Sequence, residues 1–295
     1  MNILILAGGL SPEREVSFTS GCRIATALIG RGHRVCLCDP YTGCDPDGKP
    51  PVYTADAIRP RRIGKKVPDL ATLKRESGRG ERRIAPGVME LCRTAEVVFI
   101  ALHGDIGEDG RLQAMLETEG IRHTGSLLAM DKDIAKRLFR EADILTPDWV
   151  HCDLSRQTAE TAAAHIEETV GYPCVVKPCS CGSSVGVSMA EDREELMQAL
   201  TLAMQYEGDI IAERRIQGRE VTVSVLGGRV LPAVEIVPHE GFYDYANKYQ
   251  AGAVEELCPA RIALAEASAL ADAARRGFDV LRLGGYARFD FILDK

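Results

Sequence analysis

A lysine followed at once by a loop of glycine and serine is the most informative segment of the sequence. The segment reads Val176-Lys177-Pro178-Cys179-Ser180-Cys181-Gly182-Ser183-Ser184-Val185-Gly186-Val187. Backbone N–H groups and hydroxyls in such a loop can surround phosphate oxygens, and the lysine can neutralise their charge. The loop is not a Walker A motif, because G-x4-G-K-[ST] is absent. Spacing alone leaves a phosphate-binding loop and an ordinary glycine-rich turn as alternatives.

The hydrophobic pattern before this loop predicts a small α/β domain. Apolar runs at residues 2–7, 35–38 and 97–102 are continuous enough for parallel strands that are covered on both faces, and a helix pattern follows the first run. The stretch from Gly43 to about Pro86 is rich in proline, glycine and charge, which predicts a surface insertion.

From about residue 123 the pattern changes to α+β. The predicted helices are 131–142, 194–204 and 261–276, and the predicted strands are 173–177, 209–213, 221–226, 230–236 and 285–293. The strands 221–226 and 230–236 are predicted to pair antiparallel around Gly227-Gly228.

Composition narrows the class of protein. A chain of 295 residues with 45% hydrophobic content predicts a globular protein. The sequence has no run of eighteen apolar residues and no signal-peptide pattern, so we expect a cytoplasmic protein without a membrane partner. A net charge of −7 does not favour nucleic acid. Ten basic residues cluster between Arg59 and Arg83, but with few aromatics they predict a solvated insertion.

Five further sequence blocks accompany the glycine- and serine-rich loop. They are Gly8-Gly9-x-Ser11-x-Glu13-Arg14-Glu15-Val16-Ser17, Ala101-Leu102-His103-Gly104-x-x-Gly107-Glu108-Asp109-Gly110, Met130-Asp131-Lys132, Phe242-Tyr243-Asp244-Tyr245-x-x-Lys248-Tyr249 and Ala287-Arg288-x-Asp290. The six blocks span nearly the whole chain, and together they are far more specific than any one of them. In their content and order they resemble the D-alanyl-D-alanine ligases, which are ATP-grasp enzymes.

The resemblance implies a fold with α/β and α+β parts. An N-terminal Rossmann-like (pre-ATP-grasp) α/β domain would occupy residues 1–122, with the insertion at about 43–86. The ATP-grasp fold would follow as a central subdomain at 123–207, which contains the glycine-rich loop, and a C-terminal subdomain at 208–295. ATP would be held between the last two.

The resemblance also implies the residues that contact ATP. They are the phosphate-binding Lys132 and Lys177, the loop residues Ser183 and Ser184, the adenosine-site residues Glu213, Arg214, Ile216 and Glu220, and Lys248. Without the resemblance, each lysine or glutamate would be interpreted as a solvated surface charge.

Four residues form the implied catalytic set, namely Glu13, Ser183, Tyr249 and Arg288. Glu13 corresponds to the carboxylate that pairs with the ammonium group of the first D-alanine. A simpler alternative is an acid that complements a helix N-terminus, and both can hold. Arg288 matches the guanidinium that stabilises the transferring phosphoryl group.

Three further roles follow from the resemblance. Lys248 and Tyr249 belong to an aromatic-rich loop that would exclude water from the reaction. Asp290 matches a metal carboxylate. His103 resembles a histidine near the first substrate, although a lone histidine after an apolar strand is more often structural.

The implied activity is ligation of two D-alanines through a D-alanyl phosphate, for peptidoglycan precursors. The implied cofactors are ATP and two Mg2+ or Mn2+ ions, the partners are two D-alanine molecules, and a homodimer is expected. The alternatives are a D-alanyl-D-lactate ligase and a nucleotide-binding fragment without activity. The Lys248-Tyr249 pair favours D-alanine as the nucleophile.

Two departures from the family pattern affect these expectations. The loop between Gly125-Ser126 and Met130-Asp131-Lys132 is several residues shorter than usual. The sequence also stops at Lys295, before a Glu-x-Asn strand that completes the metal site in the family. We therefore expect a truncated chain with impaired turnover.

Overall fold

The computed structural model describes residues 1–56, 58, 63–64, 67–125, 131–182, 184–238 and 254–294. They form two compact units, Met1–Leu127 and Leu128–Lys295, and each unit has its own hydrophobic cores. The predicted three-domain boundaries at 122/123 and 207/208 stay predictions.

Unit 1, Met1–Leu127, contains a three-stranded parallel sheet with the order β2-β1-β3. Its elements are β1 (Asn2–Leu6), α1 (Arg14–Ile29), β2 (Arg34–Cys38), α2 (Leu70–Ser77), α3 (Val88–Thr94), β3 (Val97–Ile100) and α4 (Arg111–Thr118). The continuous apolar runs predicted this arrangement, because a parallel sheet has both faces covered. The strands contribute to one hydrophobic core on each face.

The predicted insertion at 43–86 contains α2, which contributes no buried residue. Side-chain contacts bind the C-terminal part of this insertion to the rest of unit 1. Tyr41 donates its hydroxyl to the carbonyl of Gly80 at 3.0 Å, and Arg83 pairs with Asp105 at 2.5 Å. A surface excursion was the expectation, and α2 agrees with it.

Gly21 lets α1 approach the sheet closely. A Cβ atom at this position would lie 2.7 Å from the Cβ atom of Ala7. Gly21→Ala should therefore destabilise the protein by up to about 2 kcal/mol, because overpacking costs about 1–3 kcal/mol and better helix propensity returns only about 1 kcal/mol. Urea unfolding measures this change.

Gly30 provides the matched control for Gly21. It ends α1 with φ −61°, and a Cβ atom there would meet neighbours no closer than 3.5 Å. Gly30→Ala should keep or slightly raise the unfolding midpoint. Equal midpoints for the two variants would show that α1 does not pack through Gly21.

Unit 2, Leu128–Lys295, contains two antiparallel sheets. Its helices are α5 (Lys132–Glu141), α6 (Ala159–Thr169), α7 (Arg193–Ala203) and α8 (Leu264–Val280). Its strands are β4 (Trp149–Asp153), β5 (Cys174–Pro178), β6 (Ser188–Ala190), β7 (Asp209–Arg214), β8 (Arg219–Leu226), β9 (Arg229–Val230), β10 (Val234–Pro238), β11 (Val254–Leu257) and β12 (Tyr286–Leu293).

The two sheets divide these strands. The central sheet has the order β4-β7-β5-β6, and the second sheet has the order β11-β10-β8-β12 with β9 paired to β8. Strand β7 pairs with β4 and β5. In chain order it is the last strand of the central sheet, and it begins just beyond residue 207, the predicted end of the central subdomain.

One predicted strand is broken in the structure. The run 230–236, expected as one partner of 221–226, is divided between β9 and β10, and both pair with β8. Pro232 lies at the break, and proline has no N–H to donate to a strand partner.

Among the described residues, every helix is too short or too polar to span a bilayer.

Candidate functional site

Strand alternation gives the central sheet an apolar face and a polar face. The apolar face packs against α6 and α7 through Val150, Cys152, Cys174, Val176, Ile210 and Ala212. On the polar face, Trp149 of β4 and Val175 of β5 lie opposite Glu213 of β7. Lys177 lies two residues beyond Val175 and is therefore a diagonal neighbour of Glu213. The register thus brings Lys177 and Glu213 together, and Lys177 donates to Oε1 of Glu213.

Helix α5 brings two more lysines to this face, one turn apart. Lys132 donates its ammonium group to the carbonyl oxygens of Cys179 and Cys181, at 3.1 and 2.5 Å. Lys136 donates to Oε2 of Glu213 at 2.9 Å. On its other side, α5 packs through Ala135, Leu138 and Phe139 into the core of the second sheet. Helix α5 therefore packs on the second sheet, while its lysines contact the central sheet and the glycine-rich loop.

Lys132 and Lys177 form a positive region beside the glycine-rich loop. Burial, and next the repulsion of Lys177, lower the pKa of Lys132 below its usual value. Within the residues that the structure describes, Lys132 forms no ion pair, and the two bonds from its ammonium group go to loop carbonyls. Two ammonium groups close enough to repel favour an anion between them.

Glu213 is a buried carboxylate shared by two lysines. Its exposed fraction is 8%. Burial alone would raise its pKa, but the attraction of Lys177 and Lys136 outweighs this and lowers the pKa of Glu213 below its ordinary value. The carboxylate is therefore ionised at neutral pH and holds both ammonium groups.

The glycine-rich loop folds back over the end of β5. Gly186 has φ +70°, and a Cβ atom there would lie 2.7 Å from Cγ of Pro178, so only glycine fits without a shift. Ser184 also has a positive φ of 58°. The backbone N–H of Ser180 donates to Glu207 at 2.8 Å. The predicted loop residue Ser183 lies outside the described residues.

The predicted adenosine-site residues occupy the end of β7 and the start of β8. Arg214 is exposed and donates its backbone N–H to the carbonyl of Asp148 at 2.9 Å. Ile216 is half-buried in the following loop, and Glu220 lies on β8 opposite Ile292 of β12. These residues thus lead from the central sheet to the second sheet.

The second sheet also has a polar face. Helix α8 covers the face that carries Val221, Val223 and Val225. On the other face, Asp290 of β12 lies opposite Thr222 and accepts a hydrogen bond from its hydroxyl at 2.8 Å. Arg288 forms an ion pair with Asp290, with Nε 2.9 Å from Oδ1 and Nη2 3.0 Å from Oδ2. Arg288 and Asp290 are two residues apart on β12 and therefore lie on the same face of the sheet.

Asp290 offers a hard oxygen ligand for a cation. Its side chain is 47% exposed, so a carboxylate oxygen can be reached. In the described part of the chain, no three His, Cys, Asp or Glu side chains converge as a metal cage. Mg2+ commonly takes one or two carboxylates together with phosphate and water, so Asp290 fits one such ion.

Unit 1 gathers polar residues where its three parallel strands end. Gly8 and Gly9 follow β1, Asp39 follows β2, and His103 and Gly104 follow β3. Such carboxyl ends are the usual binding edge of an open parallel sheet.

Glu13 lies within this edge of unit 1. The carboxylate is 4% exposed, and a Cβ atom at Gly104 would lie 3.1 Å from its Oε2. Arg14 beside it binds Asp39 at 2.5 Å and the carbonyl of Gly9 at 2.6 Å, which fixes the loop. His103 contacts the hydroxyl of Ser20 at 3.2 Å, so the structural interpretation of this histidine has support.

Three predicted site residues, Ser183 among them, lie outside the described residues, and one contributor to the site was not predicted. The other two are Lys248 and Tyr249. Lys136 was not predicted, although its i,i+4 spacing from Lys132 could have indicated that both lysines share one helix face.

Comparisons with known proteins identify the family of this chain. The family model described as D-ala D-ala ligase N-terminus matches residues 2–126, and that described as D-ala D-ala ligase C-terminus matches residues 138–295. A D-alanine–D-alanine ligase of Synechococcus sp. (strain JA-3-3Ab) is 37% identical over 300 residues, which cover 100% of this chain and 80% of the relative.

Solved structures share the fold. D-alanine–D-alanine ligase from Bacillus anthracis has a TM-score of 0.73 and 25% identity, with 100% of this chain and 83% of that chain covered. VanG D-Ala:D-Ser ligase from Enterococcus faecalis has a TM-score of 0.72 and 27% identity, with 99% and 86% covered. The predicted ATP-grasp fold and the family resemblance are thereby confirmed, and the chain belongs to the D-alanine–D-alanine ligase family.

Proposed function

We propose that this chain ligates two D-alanines to D-alanyl-D-alanine at the expense of ATP, for peptidoglycan precursor synthesis. The observation that carries the proposal is the cluster of Lys132, Lys177 and Glu213 beside the glycine-rich loop in a member of this family. The cluster places two ammonium groups next to a loop with backbone donors. Nucleotide phosphates are the anions that such a site suits.

ATP is held in unit 2. The ammonium groups of Lys132 and Lys177 neutralise the phosphates, and Ser183 and Ser184 close over them. The adenosine is held by Glu213, Glu220 and the backbone from Arg214 to Ile216. Lys248 supplies a further cation and, with Tyr249, excludes water from the reactive intermediate.

The first D-alanine binds through Glu13 of unit 1. Its buried carboxylate suits a primary ammonium group, because a charge-assisted hydrogen bond is strong where water is scarce. Glu13 also lies at the N-terminus of α1, so its charge is favoured by the helix dipole as well. Both roles proposed for it are compatible.

Metal ions complete the proposed cofactor set. Asp290 would hold Mg2+ or Mn2+ together with phosphate oxygens, and the resemblance implies two ions. When bound, they supply positive charge that lowers the repulsion between the phosphates and an incoming oxygen.

The chemistry requires positioning more than covalent participation by the protein. The carboxylate oxygen of one D-alanine bonds to the γ-phosphorus as the bond to ADP breaks. The amine of the second D-alanine then attacks the acyl carbon, loses a proton, and expels inorganic phosphate. Arg288 stabilises the negative charge on the transferring phosphoryl group, so no nucleophilic side chain is needed.

The test is release of ADP and phosphate that depends on D-alanine, with the dipeptide identified as product. A nucleotide-binding fragment would bind ATP without this turnover. Equimolar D-alanine and D-lactate distinguish the two ligases, and we expect the dipeptide. More depsipeptide than dipeptide would make the D-alanyl-D-lactate alternative correct.

Glu13→Gln should raise KM for D-alanine on the order of tenfold to a hundredfold, because it removes a charge-assisted pair of about 1.5–3 kcal/mol. Steady-state rates at saturating ATP measure this. Glu119→Gln, a carboxylate of the same unit that pairs with Arg93, is the control and should leave KM unchanged. An unaltered KM in Glu13→Gln would place the ammonium elsewhere.

The proposal also covers the cellular location and the oligomeric state of the protein. A reaction that consumes ATP belongs in the cytoplasm. A homodimer is proposed from the family resemblance, and light scattering on the purified chain tests it through the molar mass.

A further inference from the structure

A third lysine, Lys136, lies behind the carboxylate that holds Lys177. Its exposed fraction is 6%. Its ammonium group donates to Oε2 of Glu213 at 2.9 Å and to the hydroxyl of Thr146 at 2.6 Å. It also lies 4.9 Å from the ring centre of Trp149. None of the roles proposed above uses this buried cation.

Burying this ammonium group is costly. Burial lowers the pKa of Lys136, and the attraction of Glu213 only partly opposes the shift. A lysine with its head group in solvent would avoid that cost. The position on α5 is therefore filled by a residue that packing alone would not favour.

The two oxygens of Glu213 have different partners. Oε1 accepts from Lys177, whose side chain is 26% exposed, whereas Oε2 accepts from Lys136, whose side chain alone is 8% exposed. The more exposed lysine is the one that can turn to a ligand. If Lys177 moved to a phosphate without Lys136 present, Glu213 would be left as a buried carboxylate without a cation, which is strongly unfavourable.

We propose that Lys136 is a positioning residue that keeps Glu213 paired and in place, so that Lys177 can pass from Glu213 to the phosphates of ATP. The inference rests on the proposed function, because it assigns a ligand to Lys177. Lys136 itself contacts no phosphate. It acts by removing the penalty that would otherwise oppose the movement of Lys177.

Replacement of Lys136 has a distinctive expected signature. In Lys136→Met, binding of ATP to Lys177 leaves the buried carboxylate of Glu213 without any cation. The Kd for ATP should therefore rise on the order of tenfold at neutral pH. As pH falls, Glu213 in the ATP complex of the variant can take up a proton once Lys177 has left it, and this removes the unpaired buried charge. The ratio of the variant Kd to the unaltered Kd should then decline toward one.

The experiment is calorimetric titration of ATP into the full chain between pH 5.5 and 8.5, with the ratio of the two Kd values taken at each pH. Arg137→Met is the matched control, because Arg137 is the next residue on α5, is 65% exposed and pairs with Asp133. Its Kd for ATP should equal that of the unaltered chain. Lys136→Arg, which retains the charge, should recover most of the lost affinity.

A double-mutant cycle tests whether Lys136 acts through Glu213. In a Glu213→Gln background no carboxylate needs a second cation, so Lys136→Met should have little further effect on Kd. If Lys136→Met does not fold, Lys136→Gln is measured in its place, and the same pH trend is expected.

The outcomes separate this inference from the proposed function. Absence of ATP binding by the unaltered chain would overturn the proposed function. Normal ATP binding by the unaltered chain and equal affinity in Lys136→Met would overturn only the role of Lys136. A loss that is constant with pH and persists with Glu213→Gln would make Lys136 a structural residue, and the inference would be wrong.

Discussion

Replacing Arg288 with alanine should lower kcat on the order of a hundredfold to a thousandfold, with little change in the affinity for ATP. Removal of one group that stabilises developing negative charge typically has this effect. Arg288 is 63% exposed on the polar face of β12 and pairs with Asp290. Its loss should therefore leave the core on the opposite face of the sheet intact. Coupled assay of ADP release measures kcat.

Arg275→Ala is the matched control for Arg288→Ala. Arg275 is an exposed arginine of α8 that pairs with Asp279 at 3.1 Å. It should retain the unaltered kcat, and both variants should keep the thermal midpoint of the parent. If Arg288→Ala reduced kcat no more than Arg275→Ala did, the charge in the transition state would have to be stabilised by other groups.

Lys177→Ala should raise the Kd for ATP on the order of tenfold to a hundredfold. A charge-assisted contact to a partly buried phosphate contributes about 1.5–3 kcal/mol. Lys177 extends from β5 at the start of the glycine-rich loop, and its side chain is already partly desolvated beside Glu213. Little further desolvation is needed when a phosphate replaces the carboxylate. Calorimetric titration with ATP gives the Kd.

Lys49→Ala serves as the control for Lys177→Ala. Lys49 is an exposed lysine of the insertion in unit 1, where its charge is screened by salt. Its removal should not alter the Kd. Equal Kd values for the two variants would mean that the phosphate site does not include Lys177.

The sequence determined the parallel sheet of unit 1 and much of unit 2. Continuous apolar runs at β1, β2 and β3 indicated strands covered on both faces, and the helices α5, α7 and α8 were predicted within a few residues of their ends. The break between β9 and β10 was not predicted, because the hydrophobic run continues on both sides of Pro232, which has no N–H to donate to a strand partner. Short-range pattern suffices for these elements, since each is set by residues close together in the chain.

Only part of the candidate site could be predicted from the sequence. Residue identity and the six blocks indicated Lys132, Lys177, Glu213, Arg288 and Asp290, but not their partners. The pairing of β5 with β7 brings together Lys177 and Glu213, which are 36 residues apart. A shift of the register by one residue would turn one of them to the apolar face.

The surroundings of Lys136 were decided by tertiary structure alone. Its spacing from Lys132 shows that the two share a helix face, but any solvated helix can have that spacing. Only the packing of α5 on the second sheet through Ala135 turns this face toward the central sheet. There the ammonium group meets Glu213 and Trp149, because non-local packing, rather than local sequence, sets which charges are buried together.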